Sequence, residues 1–173
     1  MEQTMKHLFL ITSLFSLVFA LHVGELPKPI SLEGENGALV TGEIFSSDMI
    51  KDKVYVLFYV DPDEKELNEH VSAALKAEQF NRETYGSIAI INMAATWLPN
   101  FAIASKLKKK QEEFPDTIYA KDLKSVLVKE WNLEDDSSNV LLFDKAGYLL
   151  FIKKGKLSDE DVTTLISLIK SHI

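Results

Sequence analysis

Two carboxylates one residue apart, Asp61 and Asp63, follow an apolar run and precede an apolar stripe with helical spacing. Paired acids on a strand-to-helix turn are hard oxygen donors that suit a divalent cation, and an aspartate so placed can also act as a nucleophile. The same residues fit a plainer role. An Asp at a helix N-cap, with further acids in the first turn, satisfies free N–H groups and complements the helix dipole. Pro62 suits a helix start, and no glycine-rich cradle for phosphate accompanies the pair. The cap is the favoured reading of Asp61 and Asp63, with a metal-assisted or aspartyl-phosphate hydrolase as the alternative.

Other groups able to do chemistry are scattered. Glu134-Asp135-Asp136 lacks the spaced oxygens and glycine turn of a calcium loop, so a solvated loop is expected. Ser137 and Ser138 have no histidine at a suggestive spacing for nucleophilic catalysis. His22, His70 and His172 form no ligand pattern, although His70 and Asp63 could meet across the turn. Asn92 falls at the end of a strand, where α/β proteins commonly bind ligands, and could equally anchor the next loop. Trp97 and Trp131 are expected in the core or partly buried. Lys106 to Lys110 reads as the solvated C-terminal end of a helix. The chain has no cysteine, which removes thiolate nucleophiles, redox pairs and thiolate metal sites together. No cofactor is expected. A formal net charge of −7 argues against nucleic acid as a partner.

These residues need a scaffold, and 173 residues with 46% apolar content suffice for one domain, read as residues 30–173. Val54 to Val60 is β-branched and aromatic throughout, which marks a central strand buried on both faces. A helix from the acidic turn to about Phe80 should follow, through Leu67, Val71, Ala74 and Leu75. Ser87 to Met93 is a second buried strand, and Pro99 opens a helix ending in the lysine run. Two such strand–helix units imply parallel pairing. Thr117 to Tyr119 reads as a short strand and about Lys121 to Trp131 as a helix. Val140 to Phe143 and Tyr148 to Ile152 form a hairpin around Asp144-Lys145-Ala146-Gly147, and Ser158 to Asp161 starts a closing helix. Before the central strand, Ile30 to Glu33 reads as a short strand and Gly34 to Gly37 as a turn, with a small hairpin through Val40 to Phe45.

The first 20 residues behave differently. Lys6 and His7 precede an apolar stretch from Leu8 that ends in Val18-Phe19-Ala20, a pattern read by signal peptidase. Cleavage after Ala20, residues 21–29 as a linker, and a periplasmic mature protein are the expectations. The membrane is then touched only through the signal peptide.

The order of elements is that of thioredoxin, with a peroxiredoxin-like extension at the N-terminus. Ser47 to Lys53 followed by Val54 to Val60 resembles the lead-in to the active-site helix of secreted thioredoxin-like proteins. Trp131 to Ser138, Val140 to Asp144, Gly147 and Lys154-Gly155-Lys156-Leu157 look like the C-terminal signature of the YtfJ-type family, as does Asn92 to Trp97. That family comprises periplasmic thioredoxin-like proteins without an established activity. The resemblance implies a three-layer α/β sandwich, a central mixed sheet with flanking helices and an N-terminal β-hairpin extension. It also implies that Asp63 and Glu66 stand, within about one residue, where the dithiol would be, and Ser138 where thioredoxins carry a cis-proline. A serine rarely holds a cis bond, which costs about 2.5–4 kcal/mol away from proline. The Asp61-x-Asp63 pair also resembles the first motif of haloacid-dehalogenase-type phosphatases, without the Thr or Val expected two residues after the second acid. The expected function is a redox-inactive binding or accessory module for a protein or small-molecule partner. Its groove would be lined by Asp61, Asp63, Glu66, Asn92, Thr96, Trp97, Ser137 and Ser138.

Overall fold

The computed structural model describes residues 21–173, so the expected signal peptide lies outside the described residues. The central strand forms where the β-branched and aromatic run predicted it. This strand, β4 (Val54–Val60), is preceded by β1 (Ser31–Leu32), β2 (Gly37–Leu39) and β3 (Phe45–Ser46). After it come α1 (Glu69–Ala77), β5 (Tyr85–Asn92), α2 (Asn100–Glu113), β6 (Thr117–Asp122), α3 (Val126–Trp131), β7 (Ser138–Phe143), β8 (Leu149–Lys154) and α4 (Asp159–His172).

Six strands make one mixed sheet in the order β2-β6-β5-β4-β7-β8. β4, β5 and β6 run parallel, as their intervening helices require, while β7, β8 and β2 are antiparallel to their neighbours. Strand periodicity splits the core between the two faces. Leu57, Tyr59, Ile88, Ile90, Leu141 and Phe143 meet Leu127 and Trp131 of α3 on one side. Val54, Val56, Val140 and Leu142 meet α1 and α4 through Val71, Leu75, Val162, Leu165 and Ile169 on the other. Each large side chain so buried contributes roughly 1.5–3 kcal/mol before entropy is counted. α2 joins this second face, since Ile103 and Leu107 pack with Ile91, which is in register with Val60. The result is the expected three-layer sandwich. Among the described residues no helix is long and apolar enough to cross a membrane.

Several expectations are corrected. The strand expected at Ile30 to Glu33 forms as β1 and pairs antiparallel with β3, Leu32 opposite Phe45, but the chain between them is not a simple hairpin. Between them β2 leaves to pair with β6, where Gly37 has φ 140° and a Cβ would lie 1.9 Å from the Lys121 carbonyl oxygen. The helix expected to run from the acidic turn to Phe80 is split into a 3-10 turn, Pro62–Glu64, and α1, which stops at Ala77. α2 continues past the lysine run to Glu113. β6 extends to Asp122, and α3 starts only at Val126, because Ser125 takes a left-handed conformation with φ 50°. Ser158 and Asp161 form a reciprocal capping box on α4.

Residues 21–29 lie against the sheet end. Gly24 donates to the Leu149 carbonyl, and the Leu149 N–H donates to Glu25. The Trp131 indole donates to the Lys28 carbonyl at 2.7 Å, and Lys28 pairs with Glu130.

Candidate functional site

The C-terminal ends of β4 and β5 and the start of β7 converge on one edge, the usual position for a ligand site on a parallel sheet. Val60 lies opposite Ser138, so β7 begins where β4 ends. The turn is fastened by the Asp61 N–H, which donates to the Ser137 carbonyl at 2.9 Å.

Asp61 is 3% exposed, and its Oδ1 accepts the Asp63 N–H at 2.8 Å. It therefore caps the 3-10 turn. Burial pushes its carboxyl above the ordinary value; the Asp63 N–H opposes that shift, while the charges of Asp63 and Asp136 reinforce it. Asp63 itself is exposed and accepts a hydrogen bond from Thr96 Oγ1 at 2.8 Å, which ties the acidic turn to the loop after β5. Glu66 points to solvent beside Lys65, 3.1 Å away, and does not join the two aspartates.

Asn92, 1% exposed, anchors more than its own loop. Its Nδ2 donates to Asp135 Oδ1 at 2.7 Å, and its Oδ1 accepts from Ser125 Oγ at 2.9 Å. Both Ser137 and Ser138 are buried. Ser137 Oγ donates to Glu134 at 3.2 Å, and Ser138 Oγ accepts from Asn68 Nδ2 at 3.1 Å. No peptide bond among the described residues is cis, so the Ser137–Ser138 link is trans. His70 contacts the Leu157 carbonyl at 3.0 Å instead of Asp63. Trp131 is core, 1% exposed, but Trp97 is 86% exposed, against the expectation of partial burial. The turn following Asn92 carries Trp97 outward, ahead of the first residue of α2.

Three polar residues of this region carry no signal as singled-out motifs in the sequence. Asn68, 4% exposed, donates to Ser138 O at 3.3 Å and Gly155 O at 3.0 Å and accepts from Leu157 N at 3.0 Å. Asn139 brackets Glu134, accepting its N–H and donating to its carbonyl, both at 2.9 Å. Asp122, fully buried, accepts from Tyr59 OH, Leu127 N and Lys124 N at 3.0, 3.0 and 3.1 Å. Burial, with the Asp122 charge next, drives the Tyr59 hydroxyl far above its usual range, so it stays protonated as a donor. Neither asparagine stands out in the sequence: Asn68 opens the polar run Asn68-Glu69-His70, and Asn139 closes the polar run from Glu134.

This edge is therefore tied together rather than left open. Every buried side-chain N or O atom among the described residues has a hydrogen-bond partner. Nor do three or more His, Asp or Glu side chains among them gather in a metal-holding group. A thioredoxin-like scaffold with no cysteine defines a protein that cannot carry out thiol–disulfide exchange with its own side chains.

The family described as "Bacterial protein of unknown function (YtfJ_HI0045)" matches residues 34–172, and the chain belongs to it. An uncharacterized protein of Haemophilus influenzae is 34% identical over 106 residues, covering 61% of this chain and 58% of that protein. The uncharacterized protein YtfJ of Escherichia coli is 24% identical over 156 residues, 85% of this chain and 84% of that one. Among solved structures, the fold is shared with a putative thiol:disulfide interchange protein DsbE from Chlorobium tepidum, at TM-score 0.57 and 17% identity, covering 88% and 99% of the two chains. It is shared also with a thiol peroxidase from Chromobacterium violaceum, at TM-score 0.62 and 12% identity, covering 88% of each.

Proposed function

We propose that this chain is an exported, periplasmic binding or accessory module on a thioredoxin scaffold, with no turnover of its own. The observation that carries this reading is the occupancy of the former redox edge. Asp61 is spent on a cap, Ser138 on Asn68 and Asn92 on two loops. A nucleophile needs a free, activated atom next to a base, and these atoms are engaged in holding three loops together. The groove-lining set of the sequence reading reduces to the exposed Asp63 and Trp97 and the half-buried Thr96 between them. Export is supported by the leader pattern of residues 1–20.

The test has two parts. Fractionating a Gram-negative host expressing the full chain, with N-terminal sequencing, should find a periplasmic protein beginning at Leu21. Insulin reduction and a phosphatase screen with divalent cations, on wild type and Asp63→Asn, should show no turnover. Cation-dependent hydrolysis abolished by Asp63→Asn would replace this reading with the hydrolase alternative.

A further inference from the structure

The tied polar edge leaves one conspicuous surface beside it. Trp97 is 86% exposed and Phe101 is 78% exposed, four residues apart at the entry to α2. Ile103 and Leu107 of the same helix are buried, so Phe101 is not part of the helix's core stripe. Isolated exposed apolar residues are ordinary, but two large, strongly exposed aromatics within five residues of chain beside a sheet's ligand edge are not. Aromatic side chains of this kind anchor interfaces, since they cover much area at little entropic cost.

The charge around the pair indicates what it accepts. Thr96 hydrogen-bonds Asp63, which holds the 61–66 turn against the residue before Trp97. Asn92 hydrogen-bonds Asp135, which holds the 134–136 loop against the base of the same segment. Those two stretches contain seven acids and one lysine, Lys65, which is itself paired with Glu66. The lysines of α2 lie beyond the pair, from Lys106 on, with Lys108 two helical turns from Phe101 on the same face. Carboxylates gathered on the Trp97 side of the aromatic pair attract a cation-bearing chain.

We propose that Trp97 and Phe101 are the docking surface for a protein partner, which presents a peptide segment combining lysine or arginine with apolar side chains. The apolar side chains cover the two rings and the cations face Asp63, Glu64, Asp135 and Asp136. This rests on the binding-module reading and gives it a partner class.

The intrinsic fluorescence is well placed to report binding, because Trp131 is 1% exposed and Trp97 is the accessible indole. The probe is a short labelled peptide alternating lysine and leucine, added to the purified full-length chain, with glutamate-for-lysine and serine-for-leucine peptides as controls. The lysine–leucine peptide should raise anisotropy, shift the Trp97 emission to the blue and protect it from acrylamide. Affinity should fall at least about tenfold, the equivalent of about 1.4 kcal/mol, in Trp97→Ser and in Phe101→Ser. It should fall with added salt and in Glu64→Gln, a fully surface change. Circular dichroism of each variant should match wild type. Absence of binding, equal binding to the aromatic variants, or equal binding of the glutamate peptide would overturn the proposal. A Trp97-dependent dimer, or partition of the chain onto vesicles in place of peptide binding, would also overturn it. None of these outcomes bears on turnover, which tests the underlying reading separately.

Discussion

Replacing Asn68 with alanine should be among the most damaging single changes where β4 ends beside β7. Its amide makes four contacts: Nδ2 with Ser138 O, Ser138 Oγ and Gly155 O, and Oδ1 with Leu157 N, at 3.3, 3.1, 3.0 and 3.0 Å. Alanine leaves the Leu157 N–H and the Gly155 carbonyl without these partners, and each unsatisfied buried group costs about 1–3 kcal/mol. Two such groups give an expected loss of about 2–6 kcal/mol, a large share of the roughly 5–15 kcal/mol that stabilises a typical domain. Ser138→Ala is the internal control. It removes one acceptor while Nδ2 keeps the Ser138 and Gly155 carbonyls, so it should cost about 1 kcal/mol. In the double variant the Ser138 change should add almost nothing, because its partner is already gone. Urea titrations of the four proteins, followed by far-ultraviolet circular dichroism, give these differences directly. A loss below about 1 kcal/mol for Asn68→Ala, or strict additivity in the double variant, would refute the view that Asn68 locks the edge.

Two further perturbations examine the turn and the sheet margin. Asp61 holds its proton more tightly folded than unfolded, so its contribution to stability is full below the unfolded value of 3.8 and is lost as pH rises through the raised folded value. Asp61→Asn keeps an Oδ1 for the Asp63 N–H and removes that loss. Melting temperatures from about pH 3 to about pH 7 should therefore show the variant gaining on wild type as pH rises, and a constant difference would contradict the burial argument. Gly37→Ala would place its Cβ 1.9 Å from the Lys121 carbonyl oxygen at a φ of 140°. Backbone must move, so β2 should detach from β6, with rapid amide exchange at Gly37 to Leu39 and a stability loss of about 2 kcal/mol or more. Native exchange at those amides would show the contact to be dispensable.

The legible parts of the fold were those written in periodicity. β4, β5 and β7 bury mostly apolar runs, and such runs have few other ways to satisfy both faces, while β8 follows from its hairpin with β7. Boundaries were lost where one side chain overrode the pattern. Asp61 caps a 3-10 turn and Asn68 is drawn to β7, so the stripe from Leu67 to Phe80 does not become one helix. Ser125 adopts a left-handed conformation because its hydroxyl serves Asn92, and α3 loses its expected first turns. At the site, the sequence identified the acids and serines but not what binds them. Asn68 and Asn139 act across 70 and 80 residues respectively, to Ser138 and Tyr59, and no local spacing encodes such pairs. Trp97 was misplaced for a related reason: residue type argued for burial, and only the path of the loop after Asn92 sets it outside.

The pairing of β4 with β7 carries a consequence for how the chain is made. Val60 aligns with Ser138 and Tyr55 with Phe143, so the central strand has one unpaired edge until the chain has been synthesised past residue 143. During that interval an apolar edge rich in β-branched residues is open to other chains, the arrangement that favours aggregation. Shortage of a holding chaperone should therefore harm this protein before it reaches its finished fold, and variants that weaken β7 should reveal themselves first as poor yield.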